Sequence, residues 1–154
     1  MLQVGDKAPD VTATDQRGAT RTLSALWAKG PVVLYFYPKD ETPGCTAEAC
    51  SFRDSYEAFT EAGAEVVGVS KDGVGSHASF ATHHRLPFVL LSDSDGALRE
   101  AYGVKKTLGF IQGRVTFVID REGMIRHVFN SQLLATAHVG EALGVVKRLA
   151  AAAR

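Results

Sequence analysis

Cysteine is scarce in this chain. Only Cys45 and Cys50 occur among 154 residues, and a chain this long buries roughly two-thirds of the surface its unfolded form exposes, so its core needs no covalent staple. A disulfide scaffold therefore does not explain the pair, and redox chemistry becomes the leading alternative. Excess charge is lacking too, since 17 Lys and Arg balance 17 Asp and Glu for a formal net charge of +0. With no electrostatic footprint, nucleic acid and anionic membrane surfaces are excluded as partners, which leaves neutral small molecules or other proteins. No run of about 18 apolar residues is present to cross a bilayer. Met1 to Lys7 lack the basic-then-apolar pattern of a secretory signal, so the expected location is cytoplasmic. The cysteines are not in C-x-x-C spacing and no H-x-x-x-H pair follows, so no metal site is expected. His83-His84 reads as an exposed helix end, and His77, His127 and His138 receive no role. No repeat, linker or low-complexity segment divides the chain, which reads as one domain over residues 1–154.

What is present is a regular alternation of strands and helices. Gly5 to Asp10 predicts an irregular segment leading to a short extended piece near Val11, and Gln16-Arg17-Gly18 a hairpin turn. Leu23 to Trp27 predicts a helical turn with Ser24 as a possible cap and Trp27 in the core. Val32 to Tyr37 is six apolar or aromatic residues in succession, the mark of a central strand covered on both faces. A helix is predicted from Pro43 to about Gly63, then a strand from Glu65 to Ser70, parallel to the first. Val74 to Arg85 predicts a helix, Phe88 to Ser92 a strand and Ala97 to Tyr102 a short helix. Asp93-Ser94-Asp95-Gly96 reads as a turn and helix cap, because it lacks the further ligands of a calcium loop. Arg114 to Asp120 and Met124 to Phe129 predict a β-hairpin, and His138 to Ala153 a final helix. The order is βαβ, then αβα, then ββα: an α/β chain with the thioredoxin-like fold, an N-terminal extension and an inserted helix-strand segment.

The two cysteines fall at one place in this order. Thr42-Pro43 is a helix start signal, and Cys45, Ala49, Phe52, Tyr56 and Phe59 recur at spacings of four, three, four and three, one stripe facing the sheet. Cys45 is thus expected at the inner edge of a helix N-terminus, at the carboxyl end of a buried strand, where open α/β sheets place ligands. Unpaired N–H groups and the positive end of the helix dipole favour an ionised sulfur there and lower the thiol pKa.

Pro38, Thr42 and Cys45 form the pattern P-x-x-x-T-x-x-C, which is similar to the active-site signature of the peroxiredoxins. Gly5-Asp6-Lys7-Ala8-Pro9-Asp10, the strand ending Tyr35-Phe36-Tyr37-Pro38, and Arg114 before Thr116-Phe117-Val118-Ile119-Asp120 extend the resemblance over nearly the whole chain. Thr42-Pro43-Gly44-Cys45 with Cys50 resembles the peroxiredoxin Q, or bacterioferritin comigratory protein, group. The segment from Gly103 to Gly113 is shorter than in many members and lacks a tryptophan often found there. The resemblance implies a peroxidase for hydrogen peroxide and organic hydroperoxides, recycled by thioredoxin or a thioredoxin-like reductant, monomeric and without a cofactor. It implies Cys45 as the peroxidatic cysteine and Cys50 as the resolving one. Thr42, Gly44 and Arg114 are then the partners of sulfur and peroxide, and Pro38 a shield.

The chemistry is consistent with these residue types. A thiolate that attacks a peroxide oxygen expels hydroxide or alkoxide, so donors must hold both oxygens as charge moves along the O–O bond. The Thr42 hydroxyl is expected to bridge sulfur and peroxide, the N–H groups of Gly44 and Cys45 to point at the site, and Arg114 to add fixed positive charge. Arg53 lies ~12 Å along the helix from Cys45, too far to serve the sulfur. Glu41 and Glu48 read as serving the helix dipole. The implied disulfide meets a geometric obstacle: residues five apart in an ideal helix have Cα atoms ~8.6 Å apart, beyond the ~7 Å that a disulfide spans. The first turns of the helix are therefore expected to unwind. The alternative readings are a peroxide-sensing thiol protein and a disulfide reductase without peroxidase turnover.

Overall fold

The computed structural model describes residues 1–106, 113–131 and 134–152. Seven strands form one mixed sheet in the order β2-β1-β5-β4-β3-β6-β7. They are β1 (Thr12–Asp15), β2 (Thr20–Thr22), β3 (Val32–Phe36), β4 (Glu65–Ser70), β5 (Val89–Ser92), β6 (Val115–Ile119) and β7 (Ile125–Asn130). The helices are α1 (Leu23–Trp27), α2 (Pro43–Asp54), α3 (Tyr56–Glu61), α4 (Val74–His84), α5 (Ala97–Tyr102) and α6 (Ala137–Ala152).

Strand β3 lies between β4, to which it is parallel, and β6, to which it is antiparallel. Every residue of β3 is buried, as its unbroken apolar run requires. Alternation along the strand then divides the core in two. Val33, Tyr35 and Tyr37 join a cluster with Cys45, Ala49, Phe52, Phe59, Phe88 and the inner face of α6. Val32, Leu34 and Phe36 join a second with Leu23, Trp27, Leu98 and Phe117. The hairpin β6–β7 and the parallel pair β3–β4 occur as the sequence predicts, and β5 adds to β4 in parallel.

Three local expectations need correction. The helix expected to run from Pro43 to Gly63 is two helices, broken at Ser55 (φ −100°, ψ 3°). Asp54 and Ser55 are weak helix formers whose side chains compete for backbone groups, and the break leaves Phe52 and Phe59 both fully buried. Helix α1 is entered at Thr22, not capped by Ser24; the Ser24 N–H instead donates to Asp10 Oδ1 at 2.9 Å, tying the N-terminal segment down. Tyr37 lies just past β3, although its N–H still reaches the Val69 carbonyl at 3.0 Å. The turn at Asp93 does cap a helix, for its carboxylate accepts the Leu98 and Arg99 N–H groups at 2.8 and 3.0 Å. Most of the segment from Gly103 to Gly113 lies outside the described residues.

Tyr35 stacks on Phe52 with ring centroids 4.5 Å apart, yet its buried hydroxyl has no hydrogen-bond partner among the described residues. An unpaired buried hydroxyl costs about 1–3 kcal/mol. Tyr35→Phe is therefore expected to raise the unfolding free energy by about 1 kcal/mol, measured by urea denaturation; a loss of stability would show that the hydroxyl is paired.

Candidate active site

The site forms where β3 ends. Phe36 pairs with Val115, so the residue before β6, Arg114, arrives beside the chain that leaves β3 toward α2. Helix α2 begins at Pro43 with Thr42 as N-cap (φ −80°, ψ 151°), and no side chain caps its first N–H groups. The Thr42 hydroxyl donates instead to the Lys39 carbonyl at 2.9 Å. Cys45, in the first turn, is 1% exposed.

Arg114 is 4% exposed. Its Nη2 donates to Cys45 Sγ at 3.2 Å and its Nη1 to Glu48 Oε1 at 2.5 Å. A single guanidinium therefore serves two acids. Burial pushes the Glu48 carboxyl up to about 8, against the pull of Arg114, which favours its neutral form and leaves more of the guanidinium charge to the sulfur. Gly44 lets the guanidinium sit close, because a Cβ at that position would stand 3.3 Å from Arg114 Nη2. Behind Glu48 lies His138, whose Nδ1 is 3.8 Å from Glu48 Oε2. The His138 Nε2–H donates to the Ser131 carbonyl at 2.9 Å, and Nδ1 accepts from the Thr116 hydroxyl at 2.8 Å. Burial pushes His138 down to about 4, so it is a neutral spacer.

The segment from Pro38 to Glu41 is fixed from beneath. Asp40 accepts from the Tyr37 hydroxyl at 2.5 Å, the Ser76 hydroxyl at 2.8 Å and His77 Nδ1 at 2.7 Å. Its own N–H donates to Asp72 Oδ2 at 2.9 Å, and His77 Nε2 donates to the Leu91 carbonyl at 2.9 Å. Burial alone raises the Asp40 carboxyl, but these bonds, that of His77 first, hold it below the ordinary carboxylate range. Arg99 adds a second tie: Nη2 donates to the Tyr37 carbonyl at 2.7 Å and Nη1 to the Gly113 carbonyl at 3.2 Å, which links the end of β3 to the approach to Arg114.

The structure thus brings together Cys45, Gly44 and Arg114, with Thr42 at the helix start and Pro38, half-buried, where β3 ends. Cys50 is on the same helix, five residues on, partly exposed and with a free thiol. Arg53 is turned away, its Nη1 donating to the His84 carbonyl at 2.8 Å. Glu48 does not serve the helix dipole; it is fully buried against Arg114, because position 48 lies on the sheet-facing side of α2. His77 and His138, given no role from sequence, are fully buried and bonded. Spacing could have found them, since His77 lies three residues before Phe80 and His138 four before Ala142 and seven before Val145, each in register with a buried stripe; Asp40 and Arg99 carried no signal beyond ordinary loop and helix charges.

A cysteine at a helix start, on a thioredoxin-like sheet and under a buried arginine, defines a cysteine-dependent oxidoreductase. Residues 4–128 match the AhpC/TSA family. The chain is 49% identical over 146 residues to a chloroplastic peroxiredoxin Q of Triticum aestivum, covering 94% of this chain and 67% of that protein. It is 48% identical over 144 residues to the chloroplastic peroxiredoxin Q of Arabidopsis thaliana, covering 93% and 66%. Among solved structures it resembles the peroxidoxin BcpB of Mycobacterium tuberculosis, with TM-score 0.91, 41% identity and coverage of 97% and 99%. Peroxiredoxin Q of Xanthomonas campestris aligns with TM-score 0.84, 34% identity and coverage of 91% of each chain. The chain belongs to the AhpC/TSA family and, within it, to the peroxiredoxin Q or bacterioferritin comigratory protein group of thiol peroxidases. The expected cytoplasmic location is corrected by the curated plant relatives, which are named as chloroplastic proteins. Composition cannot decide a compartment, because the address is carried by segments that receptors read, not by the fold.

The raised Glu48 carboxyl gives a signed pH dependence. Between an ordinary carboxyl value of 4.5 and about 8 the folded chain holds a proton that the unfolded chain has lost, so this residue's contribution to stability falls as pH rises through that window. Glu48→Gln removes the effect. The stability of the unaltered chain relative to Glu48→Gln, measured by urea denaturation from pH 4.5 to 8.5, is expected to drop by a few kcal/mol. A difference that stays flat with pH would place the proton elsewhere.

Proposed function

We propose that Cys45 is the peroxidatic cysteine of a hydroperoxide reductase and that Cys50 resolves it within the same chain, with a thioredoxin-type protein as final reductant. The contact of Arg114 Nη2 with Cys45 Sγ at 3.2 Å carries this reading, since it places a fixed positive charge on the one sulfur that lies at a helix start. The thiolate attacks the nearer peroxide oxygen. The O–O bond breaks, sulfur gains the S–O bond of a sulfenic acid, and the departing hydroxide or alkoxide takes a proton to leave as water or alcohol. Thr42 has its own proton on the Lys39 carbonyl, so its oxygen is left to accept from the peroxide O–H while Arg114 and the N–H groups of the first turn donate. This orients the substrate from both sides. Pro38 shields the sulfur, and hydrogen peroxide and organic hydroperoxides are both substrates.

In the next step the Cys50 thiol attacks the sulfenic sulfur, water leaves, and a Cys45–Cys50 disulfide forms. The free-thiol form holds both residues in α2, where Cα atoms five positions apart are ~8.6 Å from each other, farther than the ~7 Å a disulfide tolerates. The start of α2 therefore unwinds during each cycle and rewinds when the reductant opens the bond. The chain acts as a monomer, since both cysteines of the cycle are its own.

Two measurements test this. Hydrogen peroxide consumption driven by thioredoxin is expected to be catalytic, to vanish in Cys45→Ser, and to fall by about a hundredfold in Arg114→Ala, the scale of one lost electrostatic donor. Cys50→Ser is expected to consume one equivalent and stop; a single equivalent from the unaltered chain would instead mark a peroxide sensor. Amide exchange across Thr46 to Arg53 is expected to be faster in the oxidised chain than in the reduced one, and identical exchange in the two states would refute the unwinding.

A further inference from the structure

Two clusters of metal-capable side chains flank the segment that leads to Cys45, and they differ in chemistry. Asp40, Asp72 and His77 bring ligand atoms together, but Tyr37, Ser70, Ser76 and the Leu91 carbonyl already engage them. That cluster is a saturated internal network. The other cluster faces solvent. His83 Nδ1 donates to Glu41 Oε2 at 2.8 Å and His84 Nε2 donates to Glu41 Oε1 at 2.6 Å. One ligand atom from each residue lies within 4.8 Å of the others. The side chains of His83 and Glu41 are 67% and 47% exposed, so an ion has an open path to them.

Both halves of this cluster are held before any ligand arrives. Glu41 has φ 63°, a left-handed conformation that L side chains rarely adopt. The bonds of Asp40 on one side and the Thr42 hydroxyl on the other maintain it, and the outcome is a carboxylate aimed at the end of α4. That end is fixed in turn: Arg53 from α2 holds the His84 carbonyl at 2.8 Å, and Arg85 closes the helix with φ 54°. The two imidazoles sit with ring centroids 4.2 Å apart.

We propose that Glu41, His83 and His84 form a binding site for a divalent transition metal of the zinc class. Two imidazole nitrogens and one carboxylate oxygen make a three-ligand set that suits zinc with a remaining position for water, whereas magnesium and calcium favour oxygen alone. Tetrahedral bonds of about 2.0–2.1 Å separate ligand atoms by roughly 3.3 Å, so the present hydrogen-bond spacings open by about half an ångström. The metal takes the place of the protons now shared between each imidazole and the carboxylate, and each neutral ring that ligates carries its single proton on its other nitrogen. Bound there, it ties the segment ahead of Cys45 to α4. The site uses no residue of the peroxide chemistry and stands whether or not that chemistry is as proposed.

The test is calorimetric titration of Zn²⁺ into the full chain without a polyhistidine tag. Thiolates also take zinc, so the titration is repeated on the Cys45→Ser, Cys50→Ser chain. One saturable site per chain is expected in both. In the cysteine-free background Glu41→Gln and His83→Ala are each expected to weaken binding by at least about tenfold, with circular dichroism unchanged because both side chains are exposed. No saturable binding by the cysteine-free chain, or binding that both substitutions leave intact, overturns the proposal.

Discussion

The guanidinium of Arg114 sits between two acids, and the arrangement of the site follows from that constraint. It reaches the Cys45 sulfur and the Glu48 carboxyl from a position 4% exposed. Two anions on one buried cation would leave a net charge out of water, which is costly. Burial eases this by pushing the Glu48 carboxyl up, toward its neutral form. His138, held neutral by its own burial, adds no second positive charge behind it. The sulfur is the other acid on Arg114, and it lies in the first turn of α2, at the positive end of the helix dipole.

That geometry depends on rigidity in one part of the molecule and its absence in another. Strand register places Arg114 beside the end of β3, and Arg99 ties the two chain segments together there. Asp40, with Tyr37, Ser76 and His77, anchors the segment leading to the helix. Helix α2, by contrast, begins with no side-chain cap and no acidic residue in its first turn. Those are the features that elsewhere stabilise a helix start. The part of the molecule that the proposed disulfide must unwind is without either of these local supports.

The stripe through Cys45, Ala49 and Phe52, the buried run of β3 and the hairpin of β6 and β7 were all legible, because each rests on the spacing of apolar residues along a few turns or strands. The break at Ser55 was not, since the same spacing continues across it. Polar residues fared worst. Glu48, three residues after Cys45, and His138, four before Ala142, stand in register with the apolar stripes, but their polarity reads as surface until the packing of α2 and α6 against the sheet puts them inside. Thr42 was placed correctly at the helix start, yet the direction of its hydroxyl toward Lys39, on which its proposed role as an acceptor for substrate rests, depends on the shape of the preceding segment.

The sequence by itself determined that a reactive cysteine stands at the start of a helix, at the end of a buried strand, with an arginine leading another strand. Each of those features is written in neighbouring residues, and the P-x-x-x-T-x-x-C pattern around Cys45 carries the family as well. Only the tertiary structure decided that the arginine touches the sulfur, that a glutamate shares it, and that burial pushes that glutamate's carboxyl up. The contacts join positions 69 and 66 residues apart, and the upward push follows from removal of water around Glu48. Neither the folding together of distant segments nor the loss of solvent leaves a mark in local residue order.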